Sequence, residues 1–458
     1  MNRRILWLLD AAFLLALAAY VLAGRNQAPF HGDESMLIYM SRDYYILIQA
    51  HDLDAVLCCA PPGDEMAALD EHLRIVNGTV GKMAMGAAWD LAGLTVRDLN
   101  GPWFWGVPDE WAWNVAHGDL PGEHLLRVAR TPSTLFTALS AWAVFEIARW
   151  VTRARPAAYA ASALYATSPA VLLNGRRAMM EGSLLLFTAL AVLAVLWVVS
   201  GQAREPVRQQ AVLARTALFG IVCGLALASK HTAVITVAAL FVALASEPLV
   251  RGGGVFPNWR HVARWMVLGG VTLLVFLALN PAWWSDPLKM PGRVLDERRS
   301  LLDSQIQGAK AAGQYYASLG DRLTGLVNET FLSGPQFYEA PYWEAYVGDQ
   351  VARYRASGLA GRGGGLGWGV LLAAACGVGV IALARRWREG PAWVVLVWAS
   401  VTVLALLILT PFEWQRYYLL LQAPLAVLAG IGVGWMGQLV RLTIQHRPME
   451  SAGKGGGM

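Results

Sequence analysis

The sequence predicts an all-α integral membrane protein, a polytopic bundle of about ten transmembrane helices with amphipathic helices on its extracytoplasmic side. Three observations predict it. The first is composition: 56% of the 458 residues are hydrophobic and 15% are charged, against about 25% charged in soluble domains. The second is the length of the apolar runs. They are continuous and near the roughly 20 residues a helix needs to cross a bilayer core, not the alternating segments of about ten residues that build a membrane barrel. The third is the placement of arginine, which fits one orientation throughout.

The candidate spans are 5–24, 132–150, 157–173, 182–200, 211–228, 232–247, 265–282, 366–384, 391–410 and 416–437. With the N-terminus inside, every inner segment is basic. These segments carry Arg3 and Arg4; Arg149, Arg153 and Arg155; Arg204, Arg208 and Arg215; Arg251, Arg260 and Arg264; Arg385, Arg386 and Arg388; and Arg441, Arg447 and Lys454. The short outer loops hold only Arg176, Arg177, Lys230 and Arg416. This is the positive-inside distribution, so both termini are expected in the cytoplasm. It also accounts for the net charge of +5 without nucleic acid as a partner.

The chain divides accordingly into a first span (1–24), a first extracytoplasmic segment (25–131), spans two to seven (132–282), a second long extracytoplasmic segment (283–365), spans eight to ten (366–437) and a cytoplasmic tail (438–458). Residues 1–24 imitate a signal peptide. Asp10 inside the apolar run and the many spans that follow favour an uncleaved helix. In the first outer segment, 33–50 sets Met36, Met40, Tyr44 and Leu47 on one helical face, and 69–94 does so with Val76, Val80, Met83, Ala87 and Leu91. Both read as amphipathic helices lying on the membrane or the bundle. Trp103, Phe104, Trp105, Trp111 and Trp113 crowd the stretch that follows, as expected at an interface. The second outer segment begins at Trp283-Trp284 and ends in a glycine-rich tether at 361–367. Cys223 and Cys376 fall within spans and read as small apolar residues. Cys58 and Cys59 are adjacent in an outer loop and carry no evident role.

Charges near a bilayer are costly and point to a site. Those outside the inner arginine pattern lie at the outer rim: Asp33 and Glu34 after the first span, Arg176, Arg177 and Glu181 between the third and fourth, Lys230 and His231 between the fifth and sixth, Asp286 after the seventh, and Glu413 with Arg416 before the tenth. Together they suggest a carboxylate base beside an anion-binding cluster. Each has a plainer reading. Asp33 is a good helix N-cap, and Glu34 is open to solvation. Arg176-Arg177 suits outer headgroups, Lys230-His231 snorkelling, and Arg416 a local pair with Glu413. Glu146 and Arg149 read as a structural pair. The chain has no phosphate-binding glycine loop, no H-E-x-x-H and no cysteine pairs at zinc spacing. His31, His51, His72, His117 and His124 in the first outer segment, with carboxylates, leave a divalent metal site open.

The ordered series His31-Gly32-Asp33-Glu34-Ser35, Asn174-Gly175-Arg176-Arg177, Met180-Glu181-Gly182, Ala228-Ser229-Lys230-His231, Asn280-Pro281 and Arg416-Tyr417-Tyr418 resembles the C-type membrane glycosyltransferases. That group includes the protein O-mannosyltransferases and the aminoarabinose transferases of lipid A. The resemblance implies transfer of a monosaccharide from a polyprenyl-phosphate carrier to an extracytoplasmic glycan, lipid or protein, with inversion, in the plasma (inner) membrane of a bacterial cell envelope. Asp33 maps onto the family's catalytic carboxylate, with Glu34 beside it. Arg176, Arg177, Lys230, His231, Lys82 and Arg416 become the candidates for the donor phosphate. The rival reading is a transporter or flippase for an anionic or lipid-linked substrate. It calls for polar groups near mid-membrane, where these spans are clean.

Overall fold

The computed structural model describes residues 3–57, 60–61, 63–201, 209–252 and 259–445. Cys58, Cys59, Arg204, Arg208, Arg447 and Lys454 lie outside them. The described chain is helical, without a β-strand; one isolated bridge joins Tyr315 to Phe412. It opens with α1 (Arg3–Ala23). The first outer segment holds α2 (Gly32–Met40), the short α3 (Arg42–Tyr44), α4 (Glu65–Val76), α5 (Thr79–Leu91) and α6 (Glu110–Ala116). The bundle continues with α7 (Glu123–Thr152), α8 (Arg155–Ala166), α9 (Pro169–Arg176), α10 (Glu181–Gly201), α11 (Gln209–Ser229), α12 (Val234–Val250) and α13 (Trp259–Leu279). The second outer segment holds α14 (Met290–Ala311), α15 (Leu319–Val327) and α16 (Glu344–Ala356), and the chain closes with α17 (Leu366–Ala384), α18 (Gly390–Leu409) and α19 (Gln422–Gln445).

Among the described residues, eight helices are long and apolar enough to cross a membrane: those over 3–27, 181–200, 210–229, 231–250, 262–279, 366–384, 390–409 and 415–440. The chain is an integral, multi-pass membrane protein. The expected second span lies within the longer α7, which starts at Glu123 and runs through Pro132. The expected third span is two helices. Ser168 stands extended before Pro169, the first residue of α9, because a residue preceding proline is pushed out of the α region. The amide of Arg362 donates to the freed carbonyl of Thr167 at 2.9 Å.

The two expected amphipathic helices also break. The first gives α2, then α3 and a wide turn over Tyr45–Gln49. The second divides at Asn77–Gly78 into α4 and α5, where the chain runs against the end of α11. A Cβ on Gly78 would stand 1.9 Å from the Ser229 carbonyl oxygen.

The core explains the order of the layers. α10 is apolar on every face, and it is enclosed by α7, α11, α12 and α18, the place for a helix with no polar side. α19 packs between α8 and α17. It does so through small residues: Gly430 lies against Ala157 and Ala161, and Gly432 against the Ala375 carbonyl. Such close backbone approach replaces the hydrophobic drive that lipid removes. At the end remote from the outer segments, Asp10 of α1 accepts from Arg155 at 2.9 Å and from Tyr159 at 2.5 Å. Glu146 and Arg149 pair at 3.0 Å, as their spacing suggests. Above the bundle, α14 docks on α4, with His72 Nδ1 2.9 Å from Glu297 and Arg298 donating to the Val76 carbonyl.

Glu329, in the turn after α15, is buried, and burial raises its carboxyl to about 7, with Glu413 adding to the rise and Ser333 opposing it. A raised folded value favours the protonated form, so this residue's contribution to stability is full below the ordinary glutamate range and lost as pH rises through about 7. Glu329→Gln is expected to flatten the dependence of the unfolding temperature between pH 4.5 and 8 and to raise it at pH 8. A curve parallel to that of the parent protein would reject this assignment.

Candidate active site at the start of the second helix

The site begins with a helix cap. His31 is extended, and its Nδ1 accepts the Asp33 amide at 3.1 Å. Glu34 Oε1 accepts the His31 amide at 3.2 Å, completing a capping box. His31 therefore caps α2, and Asp33 does not. The Asp33 carboxylate is left to project from the first turn, where a helix N-terminus favours negative charge.

What it meets comes from remote parts of the chain. Arg416, just before α19, pairs with Asp33 Oδ2, and its Nε lies 3.0 Å from Glu339 Oε1. Glu339 Oε2 is 2.7 Å from His31 Nε2. Because Nδ1 is an acceptor, the ring proton belongs on Nε2, donated to Glu339. His31, Asp33, Arg416 and Glu339 thus close a ring of charge-assisted contacts. Burial alone would raise both carboxyls. Arg416 foremost offsets it, holding both Asp33 and Glu339 below the ordinary carboxylate range. Asp33 remains 28% exposed. No donor among the described residues reaches its Oδ1.

Beside this ring, Lys230 Nζ lies 2.6 Å from Glu181 Oε1, and Glu181 in turn acts electrostatically on Arg416. The second oxygen of Glu181 is buried without a partner among the described residues. Asp33 and Arg416 are therefore brought together, and Lys230 is linked to them only through Glu181, which acts on Arg416 across space. Glu339 and the role of His31 were not legible from the sequence reading. Glu339 stands in an irregular stretch without periodicity; its only signal was an acid beside the aromatic run of Phe337 and Tyr338.

The other candidates serve the scaffold. Glu34 is fully buried and takes Arg130 in a two-pronged pair, 2.7 Å at each oxygen, plus the Ala178 amide at 2.8 Å. It has no face for a substrate. Arg176, buried, donates to the Tyr20 carbonyl at 2.7 Å, the Val21 carbonyl at 2.8 Å, Tyr354 Oη at 2.7 Å and the Leu359 carbonyl. Arg177 donates to the Pro29 and Phe337 carbonyls, clamping the two strands of chain that carry His31 and Glu339. Burial lowers its pKa, with Glu34 and Glu339 opposing. The pair departs from the positive-inside pattern, and among the described residues loop carbonyls accept its hydrogen bonds. Lys82 is buried on Asp43 at 2.5 Å, which also holds Arg74 at 2.9 Å. His231 lies edge-on to Phe276 and Trp283, its ring nitrogens without partners among the described residues. The histidines do not converge: His72 meets Glu297, His117 stacks on Trp113 at 3.9 Å, and no group of three metal-ligating side chains forms among the described residues.

Comparison with known proteins fits this geometry. Residues 84–281, less than half the chain, match the model of the dolichyl-phosphate-mannose-protein mannosyltransferases. No curated protein sequence matches the chain. Among solved structures, ArnT from Cupriavidus metallidurans bound to undecaprenyl phosphate aligns with a TM-score of 0.54 at 14% identity, over 97% of this chain and 64% of that one. The Archaeoglobus fulgidus oligosaccharyltransferase in its apo form gives 0.55 at 15% identity, over 95% and 51%. The archaeal oligosaccharyltransferase AglB from the same organism, in complex with an inhibitory peptide and a dolichol-phosphate, gives 0.54 at 14% identity, over 95% and 51%. The chain spans between half and two thirds of the length of these structures. At such identities the likeness is one of architecture, and in architecture the chain is a membrane protein of the C-type glycosyltransferase fold.

Proposed function

We propose that this protein transfers a monosaccharide from a polyprenyl-phosphate carrier to an extracytoplasmic acceptor, with Asp33 as general base. The observation that carries the proposal is the part-exposed Asp33 carboxylate, freed from capping duty by His31 and paired with Arg416. The acceptor oxygen or nitrogen attacks the anomeric carbon from the face opposite the phosphate. The bond from that carbon to the phosphate oxygen breaks, the polyprenyl phosphate leaves with the electron pair, and the acceptor proton passes to Asp33. One displacement inverts the anomeric centre. Negative charge concentrates on the departing phosphate, where preplaced cations act best in a water-poor site. Arg416 is the cation on the base, and Lys230, paired with Glu181, is a second candidate. Both are paired to carboxylates here, and a phosphate that draws Arg416 from Asp33 raises the basicity of the carboxylate it leaves.

Because Asp33 in the free protein titrates below the ordinary carboxylate range, the acid limb of kcat/KM, which reports the free enzyme, is expected below that range. An acid limb near neutrality would point to another base. The transferase reading is tested with reconstituted protein and radiolabelled polyprenyl-phosphate sugar. Movement of label to an acceptor supports it. Movement of intact lipid-linked sugar across the bilayer without transfer would establish the transporter reading instead.

We further propose ten spans with both termini cytoplasmic and the Asp33 site extracytoplasmic, α7 and the α8–α9 pair joining the eight apolar helices. An impermeant thiol reagent is expected to label Cys58 and Cys59 in intact cells and to miss a cysteine placed at Arg386. Labelling at Arg386 from outside overturns the topology.

A further inference from the structure

We propose that Trp105 is a stacking platform for a sugar ring beside Asp33; the proposal rests on the glycosyl-transfer reading and names where its carbohydrate sits. Exposed tryptophans are otherwise found where lipid explains them. Trp7, Trp142, Trp150, Trp197, Trp284, Trp368 and Trp387 are exposed, and each lies on a helix of the bundle or within a few residues of its end. Interfacial belts are the ordinary place for such side chains. Trp105 is 44% exposed and lies in the outer segment, far along the chain from any span.

Its position relative to the base is fixed. A Cβ on Gly32 would stand 2.7 Å from the six-membered ring of Trp105, so the indole rests on the residue immediately before Asp33. The ring lies 5.7 Å from the His31 ring and stacks on Trp343 at 5.4 Å and 22°. Exposing a large apolar ring loses burial energy, yet this one is held rigidly. Asn114 pins both the amide and the carbonyl of Phe104, at 2.8 and 2.9 Å. The buried Glu110 accepts from the Gly106 amide at 3.0 Å and from Tyr342 at 2.8 Å. A flat, immobilised, part-exposed indole packed on the residue before Asp33 suits a ligand with one apolar face and a polar rim. A pyranose ring has that form: its axial C–H bonds present a weakly positive face to the negative π-cloud, and its hydroxyls point outward to groups such as Asp33. The ring belongs either to the donor or to a carbohydrate acceptor.

The test uses the full chain in lipid nanodiscs and methyl glycosides of mannose, glucose and galactose as probes, read by saturation-transfer NMR. The parent protein is expected to bind at least one. Trp105→Ala should weaken that binding at least tenfold, while Trp105→Phe, which keeps an aromatic face, should retain most of it at an unchanged unfolding temperature. Displacement of the glycoside by synthetic polyprenyl-phosphate mannose assigns the ring to the donor; simultaneous binding assigns it to the acceptor. Absence of glycoside binding to the parent, or equal binding by Trp105→Ala, overturns the platform even if sugar transfer is observed. Binding that depends on Trp105 in a protein that transfers no sugar would leave the platform standing and remove the transferase reading.

Discussion

Asp33→Asn protein is expected to insert, fold and bind the lipid-linked donor, and to transfer sugar at least about 10²-fold more slowly, the scale of a lost general base. The substitution keeps the shape of the side chain and removes only its ability to accept a proton. Folding should survive for two reasons visible in the geometry. The helix is capped by His31, not by Asp33. Arg416 also retains Glu339 at 3.0 Å, so it is not stranded. Had Asp33 been the cap, asparagine would have replaced it without loss, since the two cap about equally well. Single-turnover transfer from radiolabelled donor, with donor affinity measured in parallel, separates chemistry from binding. Near-normal turnover in folded Asp33→Asn protein would end the assignment of Asp33 as the base.

Arg130→Ala should have the largest effect on stability, about 3–5 kcal/mol, the usual consequence of stranding one partner of a buried pair. Glu34 has no exposure to solvent, and Arg130 supplies two of its contacts. Removing both groups together, as in Glu34→Leu/Arg130→Leu, should cost less than the single change, because no charge is then left alone. Thermal unfolding in detergent reads both variants. An Arg130→Ala protein as stable as the parent would mean that the Glu34–Arg130 pair does not hold this part of the fold together.

The fold was legible where one physical rule governs a long stretch. The closing helices α17 and α18 are continuous apolar runs, and their bounds can be read almost residue by residue. The rule fails where packing decides locally. The break at Gly78 reflects a neighbour more than a hundred residues away. Pro132 looks like a helix start, yet α7 continues back to Glu123 because this extra length delivers Arg130 to Glu34. Of the charges outside the inner arginine pattern, the gathering of Asp33 and Arg416 in one cluster was legible. Which of them face a ligand was not, because that depends on where backbone carbonyls come to rest. Arg176 and Arg177 had the right charge at the right level, but loops returning from Pro29, Phe337 and Leu359 had first claim on them. Arg416 was a candidate for the donor phosphate, with a local pair to Glu413 as the plainer reading; its partners are Glu339 and, at the other end of the chain, Asp33.

That last pairing has a consequence for biosynthesis. Asp33 and Arg416 are 383 residues apart in sequence. At synthesis rates of about 5–20 residues per second, roughly 20–80 s separate the emergence of the two. Throughout that interval the segment that carries Asp33 is without Arg416, and Glu339 emerges only shortly before it. A chain cut short before Arg416 thus carries Asp33 without the cation that completes its surroundings. On the reading of Asp33 as the base, such a product is expected to be inert toward lipid-linked sugar.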